Sequence, residues 1–136
     1  MRRGSNAFLY HDGALKGLSG VSNDVRDLLA SSEPGAALAL DYLVYRIVRE
    51  VGALAAAMEG VDGIVFTAGV GEHSPDIRRR VIERLGWLGV ELDPDANARH
   101  GPQISSVASR LKAYVVPTDE ERMIARHTLA LLGATW

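Results

Sequence analysis

Ile64-Val65-Phe66-Thr67-Ala68-Gly69-Val70-Gly71-Glu72-His73-Ser74-Pro75 is the stretch on which the reading of this chain turns. Its first four residues are β-branched or aromatic, the composition of a buried strand. A glycine turn follows. Ser74 then reads as an N-cap, with Pro75 at the first helical position and Asp76 matched to the helix dipole. A strand that turns at once into a helix makes backbone amides converge on the helix start, where an anion or phosphate is bound. Gly-x-Gly alone is a weak sign, because such a turn needs glycine for its tight geometry whether or not a ligand approaches. Arg78, Arg79 and Arg80 read as a solvated helix face whose charge a phosphate at the helix start would feel.

On the N-terminal side, the predicted helix over residues 34–58 carries Leu40, Val44, Ile47, Val51, Leu54 and Met58 at three- and four-residue steps. These form one apolar stripe, with Arg46, Arg49 and Glu50 off it and extra alanines suited to close packing on a second side. Ser31 or Ser32 is positioned to cap this helix, Pro34 suits its first turn and Gly60 closes it. Before it, Ser22, Asn23 and Asp24 supply capping side chains for a short helix from Val25 to Ala30. On the C-terminal side, Ile77, Val81, Leu85 and Leu88 face inward on a helix that Gly86 and Gly89 end. Val90-Glu91-Leu92 and residues 104–107 read as short strands, with a turn or brief helix opened by Asp93-Pro94-Asp95 between them. Ala113-Tyr114-Val115-Val116 is a second apolar strand, stopped by Pro117. Thr118 and Glu121 form a capping box for a last helix with Met123, Ile124, Leu129 and Leu132 inward. Strands alternating with helices predict an α/β layer with parallel pairing in one domain, residues 1–136.

Composition narrows the function classes. At 136 residues the chain has the length of one domain. Its formal net charge of -2, from 15 Lys+Arg against 17 Asp+Glu, gives no field that would draw it onto nucleic acid. No membrane partner is expected either, since residues 36–58 are broken by Asp41, Arg46, Arg49 and Glu50 and no apolar leader follows Met1. The absence of cysteine removes disulfides and thiol chemistry and fits a reducing, cytoplasmic setting. His11, His73, His100 and His127 lack the close spacing of a zinc site. No serine sits in the Gly-x-Ser-x-Gly elbow of a hydrolase. The carboxylates of Thr118-Asp119-Glu120-Glu121 follow a strand end, where open α/β sheets place ligands and magnesium is conceivable, yet a capping box and a favoured helix end explain the same residues.

Three ordered stretches, Gly17-Leu18-Ser19-Gly20-Val21-Ser22-Asn23-Asp24-Val25-Arg26, then Val65-Phe66-Thr67-Ala68-Gly69-Val70-Gly71-Glu72, then Val116-Pro117-Thr118-Asp119-Glu120-Glu121, resemble the acetate kinases and their propionate and butyrate kinase relatives. The similarity runs from about Phe8 to the end of the chain and corresponds to the last third or so of a family member. The resemblance implies the ribonuclease-H-like half of the acetate and sugar kinase, Hsp70 and actin superfamily, an α/β fold truncated here at its N-terminal strands. It implies phosphoryl transfer between ATP and acetate in a homodimeric enzyme, with ATP or ADP and magnesium as cofactors. Asp24, Val25 and Arg26 match the adenosine-contacting segment. Gly69, Val70, Gly71, Glu72 and His73 match the nucleotide-binding glycine loop, His73 standing where the family commonly has Asn. Glu120 matches a magnesium-associated glutamate, and Asp119 stands where Asn is more usual. The family's catalytic aspartate, arginines and histidine have no counterpart in these residues, so no catalytic residue is expected in the chain. The alternative is a non-catalytic nucleotide-binding or dimerisation module that pairs through the helix over residues 34–58.

Overall fold

The computed structural model describes residues 15–131, apart from the side chains at 120–122 and 125. His11 and Leu132 lie outside the described residues, as does the side chain of Glu121. The elements run α1 (Leu15–Ser19), α2 (Val25–Ala30), α3 (Pro34–Ala57), β1 (Gly63–Phe66), α4 (Ala68–His73), α5 (Pro75–Arg84), a 3-10 turn (Gly86–Leu88), α6 (Pro94–Ala98), β2 (Lys112–Val115) and α7 (Glu120–Leu131).

The two strands pair in parallel, with Gly63 opposite Lys112 and Phe66 opposite Val115. Parallel pairing of strands so far apart in sequence requires a long crossover, and α4, α5, the 3-10 turn and α6 supply it. The last rung is Val116 N–H donating to Phe66 O at 2.9 Å. Pro117 then removes the donor that would continue the ladder. The strand read as buried is covered on one side only: Val65 is 56% exposed.

A core forms where α2, α3 and α5 meet around Leu28, Leu40, Val44, Ile77, Val81, Ile82 and Leu85, with Ala113 and Val115 of β2 against it. The apolar stripe of α3 is correct through Leu40 and Val44, fades at Ile47 and Val51, and fails at Leu54 and Met58, which are exposed. The buried face continues instead from Val51 to Ala55, which is 6% exposed, so Leu54 and Met58 lie off it. Ala36 and Ala39 are fully buried, but in the same core cluster as Leu40 and Val44 and not on a second side. Gly35 belongs to the same packing, because a Cβ there would collide with the Ser19 carbonyl at the end of α1.

Several local expectations need correction. Neither Ser31 nor Ser32 caps α3; Glu33 occupies the cap position without a side-chain bond. Ser31 instead ends α2, its N–H donating to Leu28 O at 3.3 Å. Residues 90–92 and 103–105 make only isolated bridges, Val90 to Leu111, Leu92 to Ser105 and Gln103 to Tyr114. Each bridge has a different partner, one parallel and two antiparallel, so no ladder propagates. Thr118 does not cap the last helix, which starts two residues later, and its hydroxyl donates to Glu72 Oε1. Met123 and Ile124, read as inward, are exposed at 49% and 67%, since no described element covers that face of α7.

Candidate functional site

Two segments distant in sequence share one cleft of about 620 Å³. Asn23, Asp24, Val25, Arg26 and Leu29, at the start of α2, line one wall. Gly69, Val70, His73, Ser74, Pro75 and Asp76 line the other.

The α2 wall is fixed by a cap. Asp24 Oδ1 accepts the Arg26 N–H at 2.8 Å, and the Arg26 guanidinium folds back on the same carboxylate, Nη2 to Oδ2 at 2.6 Å. The side-chain bond from Arg26, then the one from its backbone, hold the Asp24 pKa at about 2, so this carboxylate is ionised at any ordinary pH. Val25 and Leu28 turn into the core, which anchors the wall from behind.

The opposite wall is the glycine turn. Ala68 sits at φ 54, a left-handed conformation that a side chain resists by roughly 1 kcal/mol or more. Glu72 stabilises it. One oxygen, Oε1, accepts the N–H of Ala68 at 2.6 Å, the N–H of Thr118 at 2.8 Å and the Thr118 hydroxyl at 2.8 Å. The Thr118 N–H foremost, followed by its hydroxyl, lowers the Glu72 pKa below the usual carboxylate range. Gly71 lets the turn lie against the strand, since a Cβ there would stand 3.3 Å from the Phe66 carbonyl carbon. Ser74 Oγ accepts the Ile77 N–H at 3.4 Å and caps α5.

Of the residues singled out in the sequence, Asp24, Val25, Arg26, Gly69, Val70 and His73 meet at the cleft. Gly71 and Glu72 stand behind it, Gly71 against β1 and Glu72 bonded to Thr118. Through that bond the segment leading into α7 is tied to the turn. Glu120 begins α7, and its side chain lies outside the described residues. Asp76 also lines the cleft; burial pushes its pKa up, but the Arg79 and Arg80 guanidiniums, each 2.6 Å away, outweigh that and leave it lowered. Both cleft carboxylates are thus matched by neighbouring arginines, and the wall does not repel an anion. A second hollow, about 270 Å³ between α3 and α5, holds Asp41, Arg79, Arg80 and Glu83, whose charges pair across it and with Asp76.

The sequence profile of the Acetokinase family matches residues 5–126. The chain belongs to the acetokinase family. Among acetokinase relatives, the acetate kinase of Rhizobium meliloti is 62% identical over 126 residues, covering 93% of this chain and 32% of that protein. The acetate kinase of Nitrobacter hamburgensis is 60% identical over 125 residues, covering 92% and 31%. The crystal structure of Porphyromonas gingivalis acetate kinase superimposes with a TM-score of 0.82 at 38% identity, over 97% of this chain and 35% of that one. A propionate kinase from Francisella tularensis gives 0.81 at 29% identity, over 93% and 33%. The chain spans about a third of the length of the curated acetokinases it matches.

The cleft and the helix beside it hold residues that the sequence reading missed. Leu29 joins the cleft wall, and Arg78, read as solvated, is fully buried. The signal for Arg78 was present: it precedes Val81, Ile82 and Leu85 by three, four and seven residues, which places it on their face of the helix.

Proposed function

We propose that this chain forms the nucleotide-holding part of an acetate kinase, and that residues from the remainder of such an enzyme complete phosphoryl transfer between ATP and acetate. The observation that carries this reading is the single cleft joining residues 24–26 to the glycine turn at the start of α5. The lining suits a nucleotide. Leu29, Val70 and Pro75 give apolar surface for a purine. A Cβ at Gly69 would meet no heavy atom within 4 Å, so a ligand can approach the backbone there. The α5 N-terminus supplies partial positive charge for phosphate.

In this reading Asp24, Val25, Arg26, Gly69, Val70 and His73 hold ATP or ADP, while Gly71 and Glu72 set the shape of the turn. Among the described residues no three His, Asp or Glu side chains are grouped to hold a metal. Magnesium would arrive on the nucleotide, bound by phosphate oxygens and water as it prefers, with Glu120 the candidate protein carboxylate. Bound magnesium nucleotide supplies the transferable phosphoryl group and the cation that offsets its charge. The chain's own part is to bind, orient and shield one face of that nucleotide from water. Among the described residues no helix is long and apolar enough to cross a membrane, and we place the protein in the cytoplasm.

Incubation of the chain with MgATP and acetate, followed by acetyl phosphate assay and by calorimetric titration with MgADP, tests the reading. Saturable binding near millimolar concentration and turnover far below an ordinary enzyme's roughly ten per second are expected. Ordinary turnover by the chain alone would show that it carries the catalytic residues. No heat of binding at about ten millimolar would remove the nucleotide site.

A second reading, pairing of two copies through α3, is favoured by one observation. Leu38, Tyr42 and Tyr45 recur at helical spacing on the side away from the core and are 59%, 42% and 51% exposed. Such a stripe suits an isologous contact. Sedimentation as a strict monomer at micromolar concentration would dismiss it.

A further inference from the structure

We propose that Arg78 is a positioning residue, which holds the glycine turn in its ligand-receiving shape from the side opposite the cleft. The proposal rests on the nucleotide reading of that cleft and deepens it. Arg78 has no exposed surface, although it lies four residues beyond the cap of a surface helix. Its guanidinium makes five polar contacts. Nη1 donates to Gly71 O at 2.9 Å and to Glu72 O at 2.7 Å, Nε donates to Asn97 Oδ1 at 2.7 Å, and Nη2 donates to Asn97 O at 2.8 Å and lies 3.4 Å from His100 Nδ1. None of these partners is a carboxylate. A buried cation without a carboxylate partner is costly to desolvate, and burial accordingly lowers the Arg78 pKa. An ordinary structural ion pair would not be built this way.

The partners explain what the cost achieves. Gly71 and Glu72 close the short helix α4, whose last carbonyls have no helical partner of their own. Each peptide is planar, so fixing the Gly71 carbonyl fixes the plane that carries the Glu72 N–H, and fixing the Glu72 carbonyl does the same for the N–H of His73, a cleft residue. The buttress reaches the other end of the turn as well, because Asn97 Nδ2 donates to Pro75 O at 2.9 Å, and His100 Nδ1 lies 2.8 Å from Glu72 O. Arg78 and Asn97 together tie the two ends of the 71–75 segment to α6. Lysine, with a single point of charge, cannot reproduce a planar fork that serves two carbonyls and Asn97 together.

The test compares Arg78→Lys with the unaltered chain by hydrogen–deuterium exchange, mass spectrometry and MgADP calorimetry. In the folded variant, peptides covering residues 69–74 should exchange at least tenfold faster while those covering β2 keep their protection, and MgADP affinity should fall about tenfold. Equal acceleration in both segments would reveal a merely structural residue, and unchanged exchange in residues 69–74 would overturn the proposal outright. If the unaltered chain binds no MgADP, the nucleotide reading fails by itself, and the exchange pattern still decides what Arg78 does to the turn. Should Arg78→Lys not fold, Asn97→Ala, which removes the Nε partner and leaves the guanidinium, is read by the same two measurements against the same outcomes.

Discussion

Glu72 gathers three donors on one carboxylate oxygen, and the lowered pKa that follows gives the turn a signature in acid. A carboxylate whose folded-state pKa lies below its unfolded value stabilises the fold fully above that unfolded value, 4.5 here, and loses the contribution as pH falls through the lower one. Glu72→Gln keeps the shape but cannot ionise. The variant should melt lower than the unaltered chain at pH 7, and the gap should narrow as the pH is taken below 4.5 and on through the lowered value. Thermal midpoints measured across that range decide it; a gap that stays constant would show that the Glu72 charge does nothing for the turn. At this scale the sequence was readable where a residue acts through its neighbours in the chain, as Asp24 and Ser74 do in capping. It was unreadable for Glu72, whose partner lies 46 residues away. Nothing in Thr118 announces that its hydroxyl serves the turn and not its own helix.

Among the elements, α2 links the core to the cleft, since Leu28 is 1% exposed while Asp24 and Arg26, one turn earlier, line the wall. Leu28→Ala should cost about 2–5 kcal/mol of stability by denaturant unfolding and should weaken MgADP binding, because the cavity loosens the helix that carries the wall. Loss of stability with undiminished affinity would detach α2 from the site. The exposed stripe of α3 calls for the opposite result. Tyr45→Glu should leave stability within about 0.5 kcal/mol and abolish self-association in sedimentation, and a variant that still pairs would point to another interface. Helices α2, α3, α5 and α7 and both strands could be placed from periodicity and glycine or proline punctuation, because those signals are local, whereas α1 and the helical turns of α4 were not read. The ends of α3 and the uncovered side of α7 could not, since what covers a helix is decided by elements remote in sequence.

For the whole molecule, the α/β class and the parallel strands follow from strand and helix alternation, and the acetokinase match and the superpositions agree with them. The joining of residues 24–26 to the glycine turn was legible only as a resemblance. No spacing rule brings two segments 43 residues apart, Arg26 and Gly69, to one cleft; packing of α2 and α5 on the shared core does so. The most direct test of that joint site is an MgADP titration of the isotope-labelled chain followed by amide NMR. Resonances of residues 23–29 and 69–76 should shift together, along one saturation curve, while those around the second hollow near Asp41 and Glu83 stay still. Shifts confined to one segment, or centred on Asp41 and Glu83, would contradict it.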